Sequence, residues 1–170
     1  NCLVGADYVV TIHEEPLAPL DELRERWQQR PELTQGGTGA LLYEIIDGVL
    51  DDYFPLLDAL DEHIDDFEER LFADGATQST TPLRPISSEI FALRRHLIRI
   101  RRIAGPTRDV VNVLLRHDAD TDGKNFAVYQ DLYDHAARIV DQIDNFREIL
   151  TGALDAYLAT ESNRMNMVMK

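Results

Sequence analysis

The residues best suited to chemistry in this sequence are acidic and polar side chains near its carboxyl end. Carboxylates recur there every seven residues, at Asp134, Asp141, Glu148 and Asp155, so on a helix they lie along one stripe. A second series starts at Asp155 and continues in alternating steps of four and three through Ala159, Ser162, Asn166 and Met169. If several copies packed around an axis with this series inward, it would line a narrow polar passage suited to a hydrated cation such as Mg2+. Spacing alone favours the alternative, which is an ordinary solvated coiled-coil face.

Other kinds of chemistry find little support in the sequence. No Glu is followed by a His three positions later, as a di-iron carboxylate bundle requires. The His residues are scattered and Cys2 is the only cysteine, so a zinc site is not indicated. Asp131 and His135 lie one helical turn apart, but two ligands do not make a site. We therefore expect that the chain is not an enzyme.

The composition limits the partners that the chain can bind. Its 170 residues include 31 acidic and 17 basic side chains, which gives a formal net charge of -14. Such a surface repels nucleic-acid phosphates and anionic lipid headgroups, and it favours divalent cations or basic partners. Simple solubility is the alternative explanation of the charge. The single cysteine excludes an intrachain disulfide, and the sequence contains no apolar run long enough to predict a membrane-spanning helix.

Apolar periodicity predicts three long helices. The last covers residues 124–170 with a period of about 3.5 residues, and it reaches the final residue without a stop signal, so we expect the chain to be part of a longer protein. The first is expected over residues 39–73, bent but not ended by Pro55. The second is expected over residues 85–116, with a kink at Gly105-Pro106.

The amino-terminal part predicts a different structure. A β-branched cluster at Val9–Ile12 indicates a strand or hairpin, whose further partners would lie upstream or on another chain because two strands alone are unstable. A short helix is expected over residues 20–30. The predicted fold class is therefore mainly α, with long antiparallel helices, a long C-terminal stalk helix and a short N-terminal β segment. We expect three parts, residues 1–34, 35–123 and 124–170.

Charge is distributed unevenly along the predicted helices. Residues 47–69 contain ten carboxylates and no Lys or Arg, whereas residues 94–108 contain six Arg and no acid. On adjacent antiparallel helices these runs would pair along their flanks, each contact contributing about 0–1 kcal/mol. The alternative is that the acidic helix attracts cations.

Several segments resemble the CorA family of magnesium channels. The segments 131–135 (Asp-Leu-Tyr-Asp-His), 146–150 and 162–170 are similar to that family's stalk helix. Residues 46–57 look like its first long cytosolic helix, and residues 8–13 resemble the last strand of its cytosolic α/β sheet. The resemblance covers essentially the whole chain in order and spacing.

The resemblance implies a homopentamer with funnel-shaped cytosolic domains in the cell (inner) membrane. The N-terminal β segment would then be the remnant of an α/β cytosolic domain. This chain would lie on the cytoplasmic side and stop just before the first transmembrane helix, with the Gly-Met-Asn signature of the family downstream. The ion implied is Mg2+, with Co2+ as a second candidate. By itself the piece could assemble differently or stay monomeric.

The resemblance also implies roles for individual residues. Regulatory Mg2+ would be held, largely through waters, by Asp47 and Asp131 at the interface between subunits, with Asp134 as a further candidate. Pore-lining roles would fall on Asp155, Asn166 and Met169. Bound Mg2+ would screen the repulsion between acidic subunits and hold the closed, symmetric pentamer.

Three other interpretations stay open at this point. The zinc-transporting relatives share the stalk architecture. A soluble, acidic, helical metal-binding regulator of the PhoU type is favoured loosely by acidic pairs at helical spacing, Asp47/Asp51 and Asp61/Asp65. The third interpretation is an acidic scaffold that binds basic partners.

Overall fold

The computed structural model describes residues 1–14, 18–29, 36–76, 84–120, 123 and 125–168. Within these residues the chain forms one small sheet and a series of helices, in agreement with the predicted, mainly helical fold class. The elements in chain order are β1 (Cys2–Val4), β2 (Val9–Thr11), α1 (Ala18–Gln29), α2 (Gly37–Asp51), α3 (Tyr53–Ala76), α4 (Arg84–Asp120) and α5 (Phe126–Val168).

The two strands form the predicted hairpin. β1 and β2 are antiparallel, with Leu3 opposite Val10, and the turn is closed by a hydrogen bond from Gly5 N to Tyr8 O of 2.8 Å. Thr38 Oγ1 donates to Ala6 O at 3.4 Å, so the hairpin turn contacts the first turn of α2. The hairpin is therefore held by main-chain bonds and by α2.

Helix α1 packs closely on α2. Leu23 is buried, and Arg26 Nη1 lies 3.1 Å from Glu44 Oε2. A Cβ at Gly48 would come within 3.3 Å of Pro19 Cβ, so the glycine permits the close approach of the two helices.

The predicted helix over residues 39–73 is two helices in the structure. α2 ends at Asp51 and α3 begins at Tyr53, although Asp52 between them keeps right-handed helical angles, φ -63 and ψ -18. The physical reason is Pro55, which has no N–H to donate to the carbonyl of Asp51 and whose ring crowds that carbonyl. The prediction that Pro55 would not end the helix was therefore wrong, because the series of helical hydrogen bonds is interrupted between α2 and α3.

Helix α4 is longer than the periodicity indicated, and the kink expected at Gly105-Pro106 stays a prediction. It continues through Pro106 as one helix and reaches Asp120, beyond the end predicted at Arg116.

The buried seam of α5 follows the helical repeat of the sequence closely. Its buried residues are Tyr129, Leu132, Ala136, Ile139, Val140, Ile143, Phe146, Leu150 and Ala153. Tyr133 and Leu154, which also fit the 3.5-residue period, are half-buried, and Arg147, which interrupts the apolar repeat, is exposed. The break disappears because Phe146 is the core residue of that turn.

The chain divides into two compact units. Unit 1 comprises residues 1–55 and 106–138, and unit 2 comprises residues 56–105 and 139–170. In unit 2, Arg101 Nε lies 3.0 Å from Asp144 Oδ2 and joins α4 to α5. The three-part division at residues 34 and 123 stays a prediction. Among the described residues, no helix combines the length and apolar character needed to cross a membrane.

Candidate metal centre

Three potential metal ligands converge within unit 1. Asp47 comes from α2, while Asp131 and His135 come from successive turns of α5. The hydroxyl of Tyr129 donates to Gly39 O at 3.0 Å, which fixes the start of α5 against the start of α2. One ligand atom from each of the three residues lies within 4.8 Å of the other two. Among the residues that the structure describes, this is the one cluster of three such side chains.

His135 stands between the two carboxylates. Its Nδ1 lies 3.5 Å from Asp47 Oδ1, and its Nε2 lies 3.8 Å from Asp131 Oδ1. Both distances exceed those of good hydrogen bonds. The three side chains therefore face one another at ion-pair distance, with the imidazole between the two carboxylates but without a short hydrogen bond to either.

Two atoms of this cluster are buried without a hydrogen-bond partner. They are Asp47 Oδ1 and His135 Nδ1. A buried polar atom without a partner costs about 1–3 kcal/mol, so an orphaned pair is unusual in a folded protein. A cation bound between a carboxylate and a neutral imidazole would satisfy both atoms. The residues present therefore fit a divalent ion.

The electrostatics of the cluster also favour a cation. Burial raises the pKa of Asp47, and the neighbouring carboxylate of Asp51 raises it further, while His135 opposes the shift. The pKa of Tyr43 is raised to about 12, first by burial and then by the carboxylates of Asp47 and Asp131. Both shifts mean that added negative charge is unfavourable here, so a positive ion would be stabilising.

An aromatic contact holds the imidazole from the side. The rings of Phe54 and His135 meet edge to face, with centroids 5.9 Å apart and planes at 86°. The guanidinium of Arg138 lies 5.9 Å from the centre of the Phe54 ring, within the range of a cation–π contact. Phe54 at the start of α3 thus restricts the orientation of a ligand on α5.

The remaining predicted site residues lie elsewhere. Asp134 is exposed outside the cluster, and its Oδ1 accepts a hydrogen bond of 3.0 Å from Gln130 Nε2. Asp155 and Asn166 are exposed on the part of α5 that belongs to unit 2. Met169 lies outside the described residues. Their predicted roles stay predictions.

His135 is the member of the cluster that sequence reasoning discounted. Its spacing from Asp131 was visible, but the third donor comes from α2, more than eighty residues earlier in the chain. The signal that could have found it is the Asp-x-x-x-His spacing of Asp131 and His135, taken together with Asp47, to which the family resemblance pointed.

Comparison with known proteins agrees with the sequence resemblance. Residues 1–170 match the family described as CorA-like Mg2+ transporter protein. The chain is 35% identical over 152 residues to the cobalt/magnesium transport protein CorA of Thermotoga maritima, covering 88% of this chain and 41% of that protein. It is 27% identical over 168 residues to the protein of the same name from Methanocaldococcus jannaschii, covering 95% of this chain and 50% of that protein.

A solved structure has the same fold. The soluble domain of CorA from Methanocaldococcus jannaschii matches with a TM-score of 0.71 at 25% sequence identity, over 89% of this chain and 59% of that one. The chain spans 41% and 50% of the length of the two relatives named above. Both relatives are named as transport proteins, and neither name describes an enzyme. The match over the full length, the two relatives and the shared fold place this chain in the CorA-like Mg2+ transporter family.

Proposed function

We propose that this chain is the cytosolic part of a divalent-cation transporter and that it senses Mg2+, or Co2+, at the cluster of Asp47, Asp131 and His135. The observation that carries the proposal is the pair of Asp47 Oδ1 and His135 Nδ1, which are both buried without a hydrogen-bond partner and lie 3.5 Å apart. The names of the relatives, which mention cobalt and magnesium transport, support the choice of ions.

The donor set agrees with a partly hydrated ion. Asp47 and Asp131 supply hard oxygen donors, which Mg2+ prefers, and Mg2+ usually keeps several waters. Asp131 is the most exposed of the three, with 58% of its side chain accessible, so it could serve a second copy of the chain as well. Asp134 on the next turn is a further candidate ligand. The bound charge would offset the repulsion that raises the pKa of Asp47.

In the complete protein we propose a homopentamer in the cell (inner) membrane, with this chain on the cytoplasmic side. Asp155, Asn166 and Met169 would line the cytosolic end of the pore. Without the ion, the acidic clusters of neighbouring copies would repel one another and open the ring. The ion shifts this equilibrium only by its differential affinity for the closed form.

A second candidate function is transport and sensing of Zn2+ by a protein of the same fold. The observation that favours it is the imidazole of His135, because nitrogen ligands suit zinc and cobalt better than magnesium. Affinities for Zn2+ and Mg2+ measured side by side on the wild type and on His135→Asn separate the two. If His135→Asn loses affinity for Zn2+ alone, the result favours zinc as the ion of this site. If His135→Asn loses affinity for Mg2+, the result favours magnesium.

Thermal unfolding in the presence of Mg2+ tests the proposed site. At a Mg2+ concentration of about 100 times Kd, binding adds about 2.7 kcal/mol, which raises Tm by about 5–10 °C in a chain of this size. Asp131→Lys should abolish this increase because a tethered ammonium would replace the cation. Asp141→Asn, an exposed change on the same helix, is the control and should keep it. An unchanged response in Asp131→Lys would exclude Asp131 as a ligand.

A further inference from the structure

Unit 2 carries two exposed faces of opposite charge on neighbouring helices. The exposed carboxylates of α3 include Glu62 and Asp66, and the exposed guanidinium groups of α4 include Arg95 and Arg99. Within the described part of unit 2, the ion pairs between these helices are instead Arg70 with Glu89, at 2.6 Å, and His63 with Glu89, at 3.4 Å. These four exposed side chains therefore face solvent instead of pairing with each other, contrary to the pairing considered from the sequence.

The basic face of α4 is also apolar. Each of its residues has another member three or four positions away, so they form one stripe, which we call the arginine stripe: Phe91, Arg95, Ile98, Arg99 and Arg102. Phe91 and Ile98 are 54% and 45% exposed. Throughout the residues that the structure describes, the three arginines form no hydrogen bond or ion pair. Arginine and aromatic side chains together are enriched in protein interfaces.

A groove beside this stripe offers the complementary surface. It has a volume of about 390 Å3, lies between α3 and α4, and is open to solvent. Its lining is mostly apolar and consists of Leu56, Ala59, Leu60, Ala92 and Leu93, with His63, Glu89 and His96. Glu62 and Asp66 each follow a lining residue of α3 by three positions, so they border the groove on that side. Glu89 already has basic partners, whereas Glu62 and the carboxylate of Asp66 have none among the described residues.

We propose that the arginine stripe of one copy docks in the α3–α4 groove of a second copy. Phe91 and Ile98 would cover the apolar walls, and the arginines would meet Glu62 and Asp66. The chain as a whole is strongly acidic, at -14, so two copies attract only where a basic surface meets an acidic one. Both surfaces are present on one chain, so a second copy can satisfy both. The contact uses none of the metal ligands and is independent of the proposed metal site.

Sedimentation velocity on the 170-residue chain tests this interface. We expect concentration-dependent self-association of the wild type. Arg95→Glu/Arg99→Glu and Glu62→Lys/Asp66→Lys should each weaken it by about tenfold or more, because attraction becomes repulsion across the interface. An equimolar mixture of the two double variants should associate again, because the reversed stripe then meets the reversed groove. Restoration in the mixture also shows that both variants are folded.

The matched control is Arg24→Glu/Arg116→Glu, which makes the same change in net charge at exposed arginines outside the stripe. It should associate as the wild type does, apart from a small general effect of charge. A wild type that stays monomeric at all concentrations would overturn the proposal. So would a mixture of the two double variants that fails to associate while each melts like the wild type.

Discussion

At the scale of single residues, the surroundings of Asp47 disfavour its ionised carboxylate when no cation is bound. Burial and the carboxylate of Asp51 raise its pKa, so the folded chain holds the Asp47 proton more tightly than the unfolded chain does. The folded state is therefore favoured below the unfolded pKa of about 3.9. That contribution is lost as the pH rises through the raised folded pKa. Above that pKa the ionised side chain lowers the stability of the metal-free chain.

Replacement of this carboxylate should therefore stabilise the metal-free chain. We expect Asp47→Asn to have a higher Tm than the wild type at pH 7 without divalent ions, and to lose the fall in stability as pH rises from acid through the pKa of Asp47. Thermal unfolding across that range measures both effects. Asp58→Asn, an exposed change on α3, should show neither effect. A lower Tm for Asp47→Asn in metal-free buffer would contradict the cause assigned to the pKa shift.

Phe54 should influence the metal site without touching the ion. Its ring fixes His135 from one edge, and outer contacts of this kind typically change metal affinity by about 10–100-fold. We expect Phe54→Leu to weaken Co2+ binding by about tenfold in isothermal titration, with the number of sites unchanged. Phe126→Leu, at an aromatic residue that is 44% exposed, is the control. Equal Co2+ affinities in Phe54→Leu and Phe126→Leu would show that Phe54 does not influence the site.

At the scale of elements, the long helices were predictable and their interruptions were not. The periodicity predicted α5 because apolar residues that recur every three or four positions indicate a helix with one buried face. Periodicity did not distinguish Phe146 from Arg147, since both positions fit a 3.5-residue repeat within one residue. At Pro55, continued periodicity hid a break in hydrogen bonding, because the backbone at Asp52 stays helical and the apolar face stays in phase.

The position of the α5 seam can be tested by a pair of adjacent truncations. Phe146 is 1% exposed, so Phe146→Ala should lower the free energy of unfolding by about 3–5 kcal/mol. Arg147 is exposed and pairs with Asp144 at 2.9 Å, so Arg147→Ala should cost about 0–1 kcal/mol. Urea unfolding followed by circular dichroism measures both. Similar losses in the two variants would mean that the seam does not run through Phe146.

At the scale of the whole molecule, the family could be recognised from the sequence, whereas the candidate site could be predicted only in part. Motifs around Asp131 and Asp47 indicated the family and two candidate ligands, because those motifs are local in sequence. His135 became a candidate only when folding brought α2 and α5 together. The opposite charges of residues 47–69 and 94–108 indicated pairing between α3 and α4. The faces on which those charges lie depend on which sides of the helices are buried, and composition does not reveal this.

The central claim is that a divalent ion binds between Asp47, Asp131 and His135, and anomalous scattering from crystals grown with Co2+ tests it most directly. An anomalous peak is predicted in this cluster, within bonding distance of its donors, about 2.0–2.6 Å, or one water further away. The peak should disappear in Asp131→Lys and persist in Asp141→Asn. A peak only along the exposed carboxylates of α5, with none between Asp47 and His135, would contradict the claim.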